Sequence, residues 1–253
     1  MNNFNMVRME GGSSQAFIFT TFDEQFVIKT INTSERRLFL RILSKYTERI
    51  FGCRESRLIR ILGLFKLLPE NQDFIIMENV MPGKDKALIF DLKGSLIDRR
   101  VSIPNKMKEK KEGMVLKDLN FYEENLKIVM DTEWVRNMTK VLEDDFEMLR
   151  VENIMDYSIL VAFYSDKERP QKKNRYFIDG PRGCYSLGVI DILQEYNFTK
   201  ISEEKFKKMY KKNNSMLSVA EPVVYYLRII EFLKALFEEE RGEGEGGREG
   251  DGD

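Results

Sequence analysis

Three short runs do most to constrain this chain: Phe90-Asp91-Leu92-Lys93-Gly94-Ser95, Ile154-Met155-Asp156-Tyr157-Ser158 and Val189-Ile190-Asp191-Ile192-Leu193-Gln194. In each, an apolar, β-prone stretch ends in a carboxylate. An acid at the end of a buried strand sits at the mouth of a cleft. Two such acids and a strand lysine are what phosphoryl transfer requires: one acid to receive a proton, one to hold magnesium, and a cation for the phosphates. Taken singly, each aspartate reads more readily as the turn residue that stops a strand.

Composition narrows the chemistry further. The 253 residues suffice for one two-lobed domain or two small ones. Histidine is absent, which excludes Ser-His-Asp and Cys-His hydrolysis and leaves Asp, Glu, Lys or Tyr as general base. Cys53 and Cys184 stand alone, without the spacing of a zinc site or a disulfide framework. Residues 238–253 hold eight acids and two arginines, a net of −6, so residues 1–237 carry +5 against the whole chain's −1. A mildly basic body suits an anionic partner. The acidic, Gly-rich segment 238–253 is expected to be a disordered tail. Met1 to Glu10 lacks the pattern of a signal peptide, and no run of about 18 apolar residues could cross a bilayer, so any membrane contact is expected to be peripheral.

Hydrophobic periodicity gives a coarse element map. Phe17 to Thr20 and Phe26 to Thr30 read as a hairpin, and Ser34 as the N-cap of a helix with Leu38, Ile42 and Tyr46 on one face. Leu58 to Leu68, Phe74 to Met77 and Ala87 to Leu92 read as further strands, and Lys106 to Lys117 as a solvated loop. Asp131 or Thr132 can cap a helix with the face Trp134, Met138, Val141, Leu142 and Leu149. Tyr157 to Tyr164 and Tyr185 to Ile190 are strand-like, and Pro222 opens a last helix with the face Leu227, Ile230, Leu233 and Phe237.

The wording of the three acid runs, in this order, closely resembles the phosphatidylinositol phosphate kinases over about residues 10 to 237. The resemblance implies an α+β, two-lobed kinase-like fold. A first lobe, about 10–82, would hold an antiparallel sheet with helices on one side, and a smaller mixed second lobe would span about 83–237. It implies ATP and Mg2+ as cofactors, with Gly11, Gly12 and Ser13 folding over the phosphates and Lys29, in Val27-Ile28-Lys29-Thr30, contacting them. Glu35 is the acid on the next helix available to Lys29. Its other reading is a first-turn acid favoured by the helix dipole. Met77, Asn79 and Val80 match the strand-to-linker passage whose backbone would bind adenine.

By the same resemblance, Asp156 orients the inositol hydroxyl and takes its proton, and Asp191 is the magnesium ligand. Lys93 lies near the reacting phosphates, and the fork of Arg99 meets the substrate phosphate. Lys200 to Lys212 holds six lysines and two glutamates around Phe206, Met209 and Tyr210, an amphipathic basic pattern suited to a membrane surface. Lys200-Ile201 stands where the family has a lysine pair, and Glu203 matches a glutamate typical of 4-phosphate 5-kinases. The expected partner is therefore a phosphoinositide-containing membrane surface on the cytosolic side rather than a nucleic acid, with oligomeric state left open. The rival expectation is a catalytically weak phosphoinositide-binding scaffold, motivated by the altered lysine pair and by the ten residues that precede Gly11, where the family carries additional strands and a dimerisation region.

Overall fold

The computed structural model describes residues 4–5, 16–103, 111–165, 174–196 and 222–240. A first sheet has the order β1-β2-β3-β5-β4, all antiparallel: β1 is Phe4–Asn5, β2 Ile18–Thr21, β3 Phe26–Ile31, β4 Ile61–Leu67 and β5 Gln72–Glu78. Helix α1, Thr33–Gly52, follows β3 directly. Its cap is Asn32 rather than Ser34: the Asn32 carboxamide accepts from the Ser34 and Glu35 amides, and Glu35 Oε2 accepts from the Asn32 amide at 2.8 Å. This reciprocal arrangement satisfies the first orphan donors of the helix and fixes where it starts. Leu38, Phe39, Ile42, Tyr46 and Ile50 are its buried side.

The second lobe is built on a mixed sheet, β10-β11-β9-β6-β7, in which only β6 and β7 run parallel. Its strands are β6 Ala87–Leu92, β7 Val115–Leu116, β9 Ser158–Tyr164, β10 Phe177–Gly180 and β11 Gly183–Ile190. β9 and β11 are buried along almost their whole length, so neither shows the polar/apolar alternation of a half-exposed strand. β7 falls inside the stretch expected to be loop, and a short helix, α2 at Asp118–Glu124, follows it.

Helix α3, Thr132–Val151, is capped by the Asp131 carboxylate on the Trp134 amide at 2.8 Å. Helix α4, Pro222–Leu236, buries Tyr225, Ile229, Phe232, Leu233 and Leu236, while Leu227 faces solvent. Of the expected face, Leu233 and Phe237 are buried and Ile230 is half-buried against the core, so only Leu227 was misplaced; the helix is apolar nearly all round and periodicity alone does not choose every position. β12, Phe237–Glu239, pairs in parallel with β8, Ile128–Met130.

The lobes share one core and are joined near the cleft. Residues 57–59 run alongside the end of β11: the Ile59 amide donates to the Val189 carbonyl at 2.8 Å, and the Val189 amide to the Arg57 carbonyl at 2.7 Å. Asp145, fully buried on α3, accepts from Arg49 Nε on α1 at 2.7 Å, from Ser56 Oγ at 2.8 Å and from the Arg57 amide at 2.7 Å. A buried carboxylate is tolerated only when paired and hydrogen-bonded in this way. The result is that α1 is anchored to the helix that leads into the Asp156 turn.

Candidate active site

Lys29 sits in the middle of the first sheet on β3, in register with Ile18 and Ile75. Its ammonium donates to Asp191 Oδ1 at 3.0 Å. Burial pulls the lysine pKa down, but the Asp191 carboxylate more than offsets this and leaves it raised. Lys29 is therefore a fixed positive charge at neutral pH, as a phosphate-binding cation must be.

Asp191 is the first residue after β11, and Asp156 lies between the end of α3 and the start of β9. Both have left-handed backbone, φ 58° and 61°, as does Asn153 at 56°. Aspartate and asparagine enter this region more readily than other side chains, yet such a conformation still costs on the order of 1 kcal/mol or more and persists only where neighbours enforce it. Here the two turns enforce each other. The Met155 amide donates to the Gln194 carbonyl at 3.0 Å and the Tyr196 amide to the Asn153 carbonyl at 2.8 Å, with a bridge between Ile154 and Glu195. Arg41 on α1 ties the pair to the first lobe, donating to Glu152 Oε2, the Glu152 carbonyl and Glu195 Oε1 at 3.1, 3.0 and 3.0 Å.

Lys93 follows β6 and reaches the Asp156 carboxylate at 2.6 Å and its backbone carbonyl at 2.7 Å. The turn that carries it is organised by the buried Asp118 carboxylate, whose Oδ1 accepts from the amides of Lys93 and Ser95 at 2.9 and 3.2 Å. Gly94 between them has φ +64°, and an added Cβ would meet the Arg228 carbonyl at 3.1 Å. Each candidate acid is thus matched to one lysine, on turns that are bonded together.

Three expectations need correction. Glu35 does not pair with Lys29: its carboxylate closes the α1 capping box, so it reaches the lysine through its field alone. Arg99 does not present its fork to the cleft. Its Nε donates to Asp118 at 2.7 Å and its Nη2 to the Asp91 carbonyl and carboxylate, because two buried or half-buried acids there require a cation.

Third, much of the linker backbone is engaged by the protein itself, although the Val80 amide has no hydrogen bond among the described residues. The Asn79 amide donates to Gln25, its carbonyl accepts from Asn174, and the Val80 carbonyl accepts from Ser186. A buried linker must satisfy its own polar groups. Met77 is half-buried on β5. Gly11, Gly12, Ser13, Lys200, Glu203, the amphipathic segment around them and the tail from 241 lie outside the described residues.

Asp118 and Asp145 escaped the sequence reading. The signal for Asp145 was present, since it occupies the apolar stripe of Leu142, Phe146 and Leu149. For Asp118 there was little beyond its place in the first turn of α2.

The family model for phosphatidylinositol-4-phosphate 5-kinase matches residues 2–177 and 168–236. The chain belongs to this family. A probable phosphatidylinositol phosphate kinase of Dictyostelium discoideum is 33% identical over 157 residues, 60% of this chain and 21% of that protein. A phosphatidylinositol 5-phosphate 4-kinase type-2 gamma of Danio rerio is 24% identical, covering 89% of this chain and 68% of that protein. Phosphatidylinositol 4-phosphate 5-kinase 1 of Arabidopsis thaliana is 25% identical, covering 90% and 40%. This member of the phosphatidylinositol-4-phosphate 5-kinase family therefore spans between about a fifth and two thirds of the length of these relatives, whose names include both 4-kinases and 5-kinases.

Proposed function

We propose that the chain is a lipid kinase that transfers the γ-phosphate of Mg-ATP to a phosphatidylinositol monophosphate, with phosphatidylinositol 4-phosphate as substrate and position 5 as the site of transfer. The observation that carries this reading is the double pairing of Asp156 with Lys93 and Asp191 with Lys29 on mutually bonded turns. Asp156 would orient the inositol hydroxyl and accept its proton as transfer proceeds. Lys29 and Lys93 supply positive charge where the phosphates collect.

Asp191 suits magnesium. Its side chain is half exposed, one oxygen faces Lys29 and the other has no protein partner among the described residues. Magnesium binds through one or two carboxylates with phosphate oxygens and water completing its shell. No cluster of three acids, cysteines or histidines occurs among the described residues, so the triphosphate would complete the coordination. Once bound, the ion would neutralise charge on the transferring phosphoryl group.

The 4-phosphate preference is supported by Glu203, and a peripheral membrane site by the basic, amphipathic pattern of residues 200–212. No helix among the described residues is long and apolar enough to cross a membrane. The engaged linker backbone favours the rival reading, a scaffold that binds phosphoinositide with little catalysis. Labelled ATP offered with each phosphatidylinositol monophosphate in vesicles decides between them. Label recovered at position 5 of the 4-phosphate lipid supports the kinase. Vesicle binding without label supports the scaffold, and a preference for the 5-phosphate lipid overturns the assigned position.

A further inference from the structure

A second arginine stands beside the catalytic turn, and no acid among the described residues claims it. Arg228 on α4 has its guanidinium carbon 4.8 Å from the centre of the Tyr225 ring. Tyr225 is itself fixed to the catalytic turn, because its hydroxyl donates to the carbonyl of Tyr157, the residue after Asp156. The Arg228 carbonyl borders Gly94, the neighbour of Lys93. Burial, then Asp156, Tyr157 and Asp91, push the Tyr225 hydroxyl above its ordinary range while Arg228 pulls it back.

The acids of the neighbouring turns are already matched, Asp156 with Lys93 and Asp91 with Arg99. The Nε of Arg228 is buried without a partner, and among the described residues the side chain has neither hydrogen bond nor ion pair. It opens on a groove of about 470 Å³ lined by Gly94, Tyr122, Arg228, Glu231, Phe232 and Lys234. Glu231 and Lys234 pair with each other at 2.6 Å, so the uncompensated charge of the groove belongs to Arg228.

We propose that Arg228 binds the phosphomonoester already present on the inositol ring, in the groove that begins at Gly94. The proposal rests on the phosphoinositide reading above and supplies the phosphate contact that Arg99, spent on Asp91 and Asp118, does not make. A planar fork can place two parallel N–H bonds on a phosphate, and an aromatic platform holds the fork before the ligand arrives. The groove is of the size that takes a small polar ligand, within the range of roughly 300–1,000 Å³.

The test uses the full chain and soluble short-chain lipids, so that membrane attachment plays no part. Binding of phosphatidylinositol 4-phosphate, phosphatidylinositol 5-phosphate and unphosphorylated phosphatidylinositol is measured by calorimetry for the parent, Arg228→Ala, Arg228→Gln and Arg228→Lys, with melting recorded for each. The alanine and glutamine variants are expected to weaken binding of the phosphorylated lipids by about tenfold to a hundredfold, with the lysine variant in between. The ratio of phosphorylated to unphosphorylated binding should collapse in the same order.

A ratio within twofold of the parent in a folded Arg228→Gln overturns the proposal. So does an equal loss on all three lipids accompanied by lower melting, which would make Arg228 a packing partner of Tyr225. A parent that binds none of the lipids overturns the phosphoinositide reading itself, and this proposal falls with it.

Discussion

Lys29 and Asp191, 162 positions apart in the chain, meet at 3.0 Å and join the central strand of the first sheet to the turn that ends the second lobe's longest strand. The pair holds a cation and a carboxylate side by side where the two lobes meet. Without ligand each neutralises the other. With a magnesium-bound triphosphate each gains a partner of opposite charge, so the pair serves as a preassembled site.

Asp191→Asn and Lys29→Met should each lower lipid phosphorylation by about 10³-fold or more, since both groups act on charge that develops in transfer. Asparagine suits the test because it tolerates the left-handed backbone at position 191, φ 58°, so melting should stay close to the parent. Activity within tenfold of the parent for both variants, each folded at the assay temperature, would remove these residues from the site.

Lys29 also sets a pH dependence. Its native pKa is raised, so the stability it contributes is fully present below the unfolded lysine value of about 10.4 and is lost as pH climbs through the native value. The melting difference between the parent and Lys29→Met should be flat from neutral pH to about pH 9 and should narrow only above about pH 10.5. A difference that closes below pH 9 would mean that burial, not Asp191, governs the lysine.

Arg99→Ala should act on stability. It leaves Asp118, fully buried, without its charge partner and also releases Asp91. Breaking a buried pair by removing one member costs about 3–5 kcal/mol, and melting should fall by roughly 6–20 °C in a chain of this size. Normal melting combined with lost lipid turnover would show instead that the Arg99 fork turns out to meet the substrate.

Glu203→Ala addresses lipid choice. If Glu203 selects the headgroup, the ratio of kcat/KM for the 4-phosphate over the 5-phosphate lipid should fall, with the ATP affinity moving less. An unchanged ratio would leave the 5-kinase assignment without support.

The parts of this site that sequence exposed are those where one residue satisfies one strong local rule. Asp156, Asp191 and Lys29 terminate or punctuate apolar runs, and a charge there has few places to go but a cleft. What sequence hid depends on partners far along the chain. Glu35 looked available to Lys29, but Asn32, three residues before it, takes its carboxylate for the helix cap. Arg99 looked exposed because nothing local announces that Asp118 is buried beside it.

The element map held for most strands and helices and missed where distant packing decides. The β6 and β11 strands and most of the buried side of α4 were legible, whereas Leu227 was misplaced, since Leu227 and Ile229 are equally apolar and only packing separates them. Asp145 offered a usable clue: an acid inside an apolar helical stripe marks a buried ion pair, here with Arg49.

The central claim is that Asp156, held by Lys93, takes the proton from the accepting hydroxyl. The most direct measurement is transfer of labelled γ-phosphate to phosphatidylinositol 4-phosphate vesicles by Asp156→Asn beside the parent, with ATP affinity measured on the same samples. The account predicts a fall in transfer of about 10²-fold to 10⁴-fold with ATP binding retained. Transfer by Asp156→Asn within tenfold of the parent would contradict it.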